Sequence, residues 1–469
     1  MIMNCKDFFA GKKILIMGLG ILGRGVNVAK FLAERRAELT ITDLKTEEQL
    51  ASSLKKLKKI PNIKYVLGRH DLADFSDKDM VIKAAGVPLN SPYIAEAIKN
   101  KIPVEMDASL FVKLTTTWTL NVQVVGITGA RGKSTVTHLI YAILEEAFKK
   151  AKQKVYLGGN VRGLASLPLL KKVKDGDVVV MELDSWQLQG FGEAKISPNI
   201  AVFTTFLPDH QNYYKNDMER YFSDKANIYR WQKRGDWLIA GSGAAKVIKE
   251  KDKNGAKWKT AKMSKKNIPH GWKIKLLGGH NLINIALAVE VARKLGIKEA
   301  VIKKTVENFK GLPGRLEFIR ETKGVKYYND TTATTPEAAL AALDSLKEYK
   351  GKIILIGGGA DKNLEYKEYA QEVKKYIKAL ILFKGAATDK IISALGKTKF
   401  PVESVDSMEK AMEIARANSK KGDIILLSPA AASFGVFKNE FDRGERFNKA
   451  VKKLKGRLFI QNKKSGKYH

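Results

Sequence analysis

The stretch GITGARGKST, Gly126 to Thr135, has the residue types of a phosphate-binding loop in an unusual spacing. The common loop, G-x-x-x-x-G-K-[ST], needs a glycine five places before Gly132. Ile127 stands there, and glycines fall at 126 and 129 instead. An apolar strand, VQVVGITG, leads in, and an apolar-periodic helix, STVTHLIYAILEEA, leads out. A glycine-rich turn between them leaves free backbone N–H groups at a helix N-terminus, which attract anions by geometry and by the helix dipole. In this reading Gly129 and Gly132 shape the turn and Lys133 reaches the β- and γ-phosphates of a nucleotide. Ser134 offers its hydroxyl to Mg2+, and Thr135 assists. The bland alternative is an ordinary strand–turn–helix junction, against which the GKST run argues.

A magnesium site calls for carboxylates. DVVVMELDSWQ supplies Glu182 at the C-terminal end of an apolar strand, where ligands gather in open α/β sheets. Asp184 lies on the same side of an extended chain; it is either a second acidic group or a helix N-cap. FLPDHQNYY follows the strand NIAVFTT and brings His210 to the same exit face, either as a metal ligand or as an ordinary surface or core histidine. Near the N-terminus, GLGILG carries Gly18, Gly20 and Gly23, and Asp43 closes ELTITD. Taken plainly, that is a dinucleotide-binding fingerprint with its acidic residue about 20 positions on.

Such residues must be held by strand ends, and the chain offers many. KKILIMG, ELTITD, VQVVGITG, DVVVMELD, NIAVFTT, KIILIGG, ALILFKG and DIILLSPA alternate with helical patterns. Strands spaced by helices imply parallel, doubly wound α/β sheets. Three groups separate: residues 1–112, opening with GLGILG; 113–312, holding the phosphate loop; and 313–469, entered through the hinge-like GLPGRLE. No solenoid repeat is visible. With 469 residues and 44% apolar content, two to four domains with substantial cores are expected. No apolar run approaches the ~20 residues of a membrane span. Cys5 is the only cysteine, so an internal disulfide is excluded. A cytoplasmic protein fits. The formal charge of +35 is spread over lysines along the whole chain, without regular aromatic interleaving. It reads as a lysine-rich surface that attracts anionic substrates before it reads as a nucleic-acid site. QNKKSGKYH reads as a frayed basic tail.

In chain order, TGARGKST, ELDSWQ, the DH of LPDHQNYY, GGHNLINIALA, LPGRLE, NDTTATTPEAA and SPAAASFGVFKNEFDRG resemble the Mur ligases of peptidoglycan synthesis. That family's phosphate loop reads TGxxGKS/T, which accounts for the spacing. The SPAxAS…FKN…RG stretch is similar to the MurD type, the glutamate-adding members. The resemblance implies three domains: a Rossmann-like UDP-binding domain, a central P-loop ATPase-type parallel-sheet domain and a C-terminal Rossmann-like α/β domain that binds glutamate. It implies a reaction too. ATP phosphorylates the carboxylate of UDP-MurNAc-L-Ala, and the amine of glutamate attacks the acyl phosphate through a tetrahedral intermediate. Phosphate then leaves and an amide remains. A carboxylate is a poor electrophile; phosphorylation supplies a leaving group, and Mg2+, lysine and helix N-termini stabilise the anionic oxygens. ATP, two Mg2+ ions and a CO2-derived carbamate on Lys225 are the implied cofactors. A monomer acting on UDP-MurNAc-L-Ala and glutamate, engaging neither membrane nor nucleic acid, is the implied setting.

The resemblance assigns residues one at a time. Lys133, Ser134 and Thr135 match the ATP-phosphate and Mg2+ residues, Glu182 the Mg2+-binding glutamate and His210 the metal-site histidine. Lys225, in YFSDKANIY, falls at the carbamylated lysine; a plain lysine repels Mg2+, whereas a carbamate holds it. Asn281 and Asn284 match residues that flank the adenine. Arg315 and Asp330 match those that hold nucleotide and ribose, with domain closure completing the site. Asn160 sits at the muramoyl contact. In this family the glycines of GLGILG approach the UDP diphosphate and Asp43 faces the uridine. Asn90 lines the same cleft or simply makes a turn.

The pattern departs around the glutamate site. The family's N-D-S-K-A-T-N reads NDTTATT here, with Thr332 in the lysine's place. Asp184 replaces a serine, and Glu440, with Phe441 beside it, stands where phenylalanine is expected. Ser433 and Phe434 are carried over to the glutamate site, and Lys362 or Lys438 would supply the missing charge. D-glutamate is the expected amino acid, with an L-glutamate-adding ligase as the alternative. More remote readings are a folylpolyglutamate synthase-like ligase, which the N-terminal GLGILG domain opposes, a nucleic-acid-binding P-loop ATPase and an NAD-dependent dehydrogenase.

Overall fold

The structure is a computed structural model that describes residues 8–252 and 259–454. Cys5 and the QNKKSGKYH tail lie outside the described residues. The chain forms two compact units, one of Met1–Trp272 with Leu282–Glu307, the other of Lys273–Asn281 with Asn308–His469.

The first unit contains two sheets. β1 (Lys13–Met17), β2 (Glu38–Asp43), β3 (Ile63–Leu67), β4 (Met80–Lys83) and β5 (Val104–Glu105) form a parallel sheet in the order β3-β2-β1-β4-β5. β6 (Gln123–Thr128), β7 (Val155–Gly159), β8 (Val178–Glu182), β9 (Ile200–Phe203), β10 (Trp237–Gly241) and β11 (Lys259–Met263) form a second, in the order β11-β10-β9-β6-β8-β7. Its pairings are also parallel. β8 reads VVVME and is buried along its whole length, the near-continuous apolar run of a strand covered on both faces. In each sheet the order reverses beside the strand that carries a glycine turn, β1 in one and β6 in the other. That reversal opens a crevice at the strands' carboxyl ends.

One apolar core runs through both sheets. Ile14, Ile16 and Phe31 of the first belong to the same buried cluster as Leu188, Phe191 and Phe203 of the second, with Leu110 and Phe111 of helix Asp107–Thr117 between them. Each fully buried side chain of this kind stabilises by about 1.5–3 kcal/mol, so these two sheets form one unit.

The second unit has a single sheet: β12 (Glu317–Thr322), β13 (Val325–Asn329), β14 (Ile353–Gly358), β15 (Ile377–Phe383), β16 (Val402–Val405) and β17 (Ile424–Leu427), in the order β12-β13-β17-β14-β15-β16. Only the edge strand β12 is antiparallel to its neighbour. Apolar clusters cover both faces. Leu277 packs against one of them, which is why residues 273–281 belong to this unit.

Candidate active site

β6 ends at Thr128, and helix Lys133–Phe148 begins at Lys133. Because β8 and β9 flank β6, Glu182 and the chain after Phe203 rise on either side of the intervening loop. The loop is stitched to the β9 side. Ala130 N donates to Thr205 O at 2.8 Å, Arg131 N donates to Thr205 Oγ1 at 2.9 Å, and the Thr204 hydroxyl donates to Arg131 O at 2.5 Å. Gly129 (φ +140°) and Gly132 (φ +89°) sit in left-handed backbone. A Cβ on Gly129 would collide with Thr204, and one on Gly132 with the Asn284 carboxamide. Position 127 has the opposite need: Ile127 lies inside β6, paired with Glu182 and Val202 and fully buried. The shifted glycines therefore follow from where the strand ends.

Lys133 curls over the loop and donates from Nζ to Gly129 O at 2.9 Å and to Ala130 O at 3.3 Å. Burial holds its ammonium below the usual lysine range, against the pull of Glu182, Asp209 and Asp184. Lys225, on helix Met218–Arg230, is only 1% exposed. Its Nζ lies 3.1 Å from Gly129 O, 3.4 Å from Thr128 Oγ1 and 4.9 Å from the Tyr221 ring centroid. Burial, followed by the charge of Lys133, lowers its pKa to about 7. Among the described residues no carboxylate pairs with it. Glu182 is 6% exposed, and its carboxylate has no hydrogen bond or ion pair among the described residues. Asp184 acts as the N-cap of helix Ser185–Glu193: its Oδ1 accepts from Gln187 N at 2.8 Å, and Gln187 returns the bond in a capping box.

His210 takes a left-handed backbone (φ +55°). Its ring lies 4.5 Å from that of Trp186, and its Nε2 is 3.8 Å from Asp209 Oδ2. Burial lowers its pKa, with Asp209 pulling the other way, which favours the neutral, ligating imidazole. Asp209 is also 3.3 Å from Arg131. The Tyr221 hydroxyl and Trp186 Nε1 nearby are buried without partners among the described residues.

These donors fit a divalent cation. Glu182 is a buried carboxylate lacking a counter-ion, Ser134 supplies a hydroxyl, and Lys225 is poised near the neutral form that accepts CO2. Among the described residues no three of His, Cys, Asp and Glu gather into a ready-made cage. A cation here would draw its remaining oxygens from nucleotide phosphate and from a carbamate.

At the first sheet's crevice, Gly18, Gly20 and Gly23 turn the chain from β1 into helix Arg24–Glu34. Asp43 is buried, with Oδ2 accepting from Gly20 N and Oδ1 from Lys45 N, both at 2.9 Å. Its carboxylate thus braces the glycine turn. Asn90 is exposed in a turn before helix Pro92–Lys99. Asn160 is exposed just beyond β7, and its N donates to Glu182 O at 2.6 Å. Asn281 and Asn284 lie on helix Gly279–Lys294; Asn281 Nδ2 donates to Leu277 O at 2.7 Å, and Asn284 packs at Gly132.

In the second unit, β13, β14 and β17 are neighbours, and their carboxyl ends bring NDTTATT, GGGADKN and SPAAASF together. Asp330 is buried; Ser428 Oγ donates to it at 2.8 Å and Leu316 N at 2.9 Å. Burial raises its pKa to about 7, while these bonds and Arg315 oppose the rise. Arg315 itself is exposed. Thr332 Oγ1 donates to Gly314 O at 2.9 Å, tying it to LPGRLE. Lys362 Nζ donates to Thr334 Oγ1 at 3.0 Å, two residues beyond Thr332. Ser433 is buried, whereas Phe434 (62% exposed) and Lys438 are open to solvent. Glu440 begins helix Glu440–Lys453, and its carbonyl accepts from Thr331 Oγ1.

Three residues of consequence received no role from the sequence. Asp209 is the acid of the DH in LPDHQNYY, and Arg443 the arginine of the FKN…RG stretch. Arg443 is fully buried and donates to Thr331 O at 2.9 Å and Ala431 O at 3.3 Å, joining two of the loops. Arg24 looked like any helix-start arginine.

Comparison with known proteins agrees with this geometry. Residues 12–105 match the Mur ligase MurD-like N-terminal domain, 127–268 the Mur ligase middle domain and 314–431 the Mur ligase glutamate ligase domain. The fold also resembles the solved UDP-N-acetylmuramate-alanine ligase MurC of Thermotoga maritima. That likeness has a TM-score of 0.58 at 20% identity, over 94% of this chain and 99% of that one. The chain belongs to the Mur ligase family. Within that family it is 37% identical to the UDP-N-acetylmuramoylalanine–D-glutamate ligase of Roseiflexus sp. (strain RS-1), covering 94% of this chain and 98% of the relative. It is 36% identical to the enzyme of the same name from Borreliella afzelii (strain PKo), covering 96% and 99%.

Proposed function

We propose that this chain is an ATP-dependent ligase that joins D-glutamate to UDP-N-acetylmuramoyl-L-alanine for peptidoglycan synthesis, releasing ADP and phosphate. The observation that carries the reading is Lys225. A buried lysine against the phosphate loop, with no carboxylate partner among the described residues and a pKa near neutrality, suits carbamylation. Relatives named as D-glutamate ligases over nearly the full chain supply the amino acid.

In this reading the loop's N–H groups and Lys133 bind the phosphates, and Ser134, Glu182, His210 and a carbamate on Lys225 would hold magnesium. Magnesium, when bound, neutralises charge as the γ-phosphoryl group passes to the alanine carboxylate. Residues 1–112 take the UDP end, 113–312 the ATP, and 313–469 the nucleotide's far side and glutamate, through Arg315, Asp330, Thr332, Lys362, Ser433, Phe434 and Lys438. A cytoplasmic monomer is part of the same reading; no helix of the described residues is long and apolar enough to cross a membrane.

Thr332, in the place of a lysine, keeps L-glutamate as the competing substrate to test. Phosphate release from ATP is measured with UDP-MurNAc-L-Ala, Mg2+ and bicarbonate, and with each glutamate isomer in turn. Release with D-glutamate alone is expected. Release with L-glutamate alone would overturn the stereochemistry, and none with either would overturn the function.

A further inference from the structure

Arg24 is the first residue of the helix that follows the glycine turn, and it reaches the segment after β7. Its Nη2 donates to Gly159 O at 3.0 Å and to Asn160 Oδ1 at 2.9 Å, and its Nε donates to Leu164 O at 3.3 Å. One turn later, Asn27 Nδ2 donates to Gly163 O at 2.9 Å. The far end of the segment is fastened separately: Ser166 N and Leu167 N donate to the buried Asp107, both at 2.8 Å. Gly159 N donates to Ser166 Oγ at 2.9 Å and closes the loop on itself. Asn160 N also bonds the carbonyl of Glu182. One short loop is therefore fixed to the glycine turn's helix and to the strand that carries the metal-site carboxylate.

The consequence falls on the Asn160 side chain. A guanidinium has donors only. The carboxamide atom it meets must be the oxygen, which settles an orientation that side-chain shape alone leaves open. The NH2 group is left exposed, with no partner among the described residues.

We propose that Arg24 is a positioning residue for the sugar-nucleotide substrate: by holding Asn160 Oδ1 it presents the Asn160 NH2 as a donor to an acceptor oxygen of the bound acyl sugar. It also links that donor mechanically to the glycine turn that takes the diphosphate end. The inference rests on the proposed ligase function and on the roles given there to Asn160 and the turn.

The test compares KM for UDP-MurNAc-L-Ala, KM for ATP and the melting temperature across five variants. Arg24→Ala is expected to raise KM for the sugar nucleotide by about tenfold, the scale of one lost charged hydrogen bond, with KM for ATP nearly unchanged and a lower melting temperature from the lost loop bonds. Asn160→Asp keeps the Arg24 bonds and exchanges the NH2 donor for an anionic oxygen, so the sugar-nucleotide KM should rise at least as much with stability retained. With Asn160→Ala as the matching single change, the Arg24→Ala/Asn160→Ala pair should lose no more than either change alone, because both remove the same presented donor. Arg24→Lys, which cannot span two acceptors at fixed geometry, should fall between wild type and Arg24→Ala; it also serves if Arg24→Ala does not fold. An unchanged sugar-nucleotide KM in Asn160→Asp, or an additive double variant, overturns the proposal. So does full recovery in Arg24→Lys. These failures require an active wild type. If the wild type releases no phosphate with UDP-MurNAc-L-Ala, the ligase reading fails first and the positioning role falls with it.

Discussion

Lys225 illustrates how a single residue's environment becomes chemistry. An exposed lysine is almost wholly protonated at neutral pH, since its pKa is about 10.4. Burial beside Lys133 brings Lys225 to about 7, so a substantial share is neutral amine. Only the neutral amine attacks CO2, forming N–COO− and releasing a proton. Activity measured after equilibration with bicarbonate should therefore fall as pH drops below about 7, and CO2-depleted enzyme should recover when bicarbonate is restored. Lys225→Arg keeps the charge and forms no carbamate; a loss of about 100-fold in kcat is expected, the scale on which disturbed metal surroundings act. Stability should also rise with pH, over a higher window. The folded-state pKa lies below the unfolded one, so the unfolded chain binds more protons between about pH 7 and the ordinary lysine range, and this residue's contribution to stability rises with pH across that window. Below it the folded state carries a buried charge. Lys225→Met should thus raise the melting temperature more at pH 6 than at pH 9 while abolishing turnover. Wild-type activity indifferent to CO2 would remove the carbamate from the account.

At the scale of elements, the phosphate loop shows what was legible and what was not. The strands that read clearly, such as β1, β6, β8, β14 and β17, are central and covered on both faces, so their apolar runs are long and β-branched. β11 (KTAKM) and β12 (EFIRET) are edge strands whose sequences hold at most two consecutive apolar residues, so no apolar run marks them. The lysine-and-acid set around the loop was readable because each member sits at a strand end or at a matched motif position. The bonds of Arg24 and the bond of Arg443 to Thr331 were not, because they join segments more than a hundred residues apart. Nor does composition mark residues 273–281 as part of the second unit; the placement rests on Leu277 packing. The loop's own logic is testable by paired substitutions. Gly132→Ala forces a side chain into left-handed backbone, at about 1–3 kcal/mol, and drives its Cβ into Asn284. It should lower stability in chemical denaturation and raise KM for ATP. Ile127→Gly installs the glycine of the common loop, yet empties a fully buried position within β6. It should destabilise by about 3 kcal/mol or more without improving ATP use. Tighter ATP binding in Ile127→Gly would show that strand geometry does not dictate the shifted spacing.

For the whole molecule the dominant quantity is charge. Eighty-four lysines and arginines against 49 acids leave a formal +35. Both proposed substrates bearing phosphate are polyanions, so the summed field draws them in, and salt screens that field with a Debye length of about 10 Å at 0.1 M. The same field repels itself across the folded protein, so screening also relieves a strain on the compact state. The two effects have opposite signs and can be separated. As ionic strength rises from about 0.01 to 0.3 M, a span over which the Debye length shrinks from about 30 Å to well under 10 Å, the melting temperature should rise. Over the same span kcat/KM for ATP and for UDP-MurNAc-L-Ala should fall, and kcat should stay flat because chemistry at the phosphate loop depends on buried neighbours that salt reaches poorly. Glutamate, carrying far less charge, should respond least. If kcat/KM instead rises in step with the melting temperature, the surface lysines act on folding alone and the charge has no part in substrate capture.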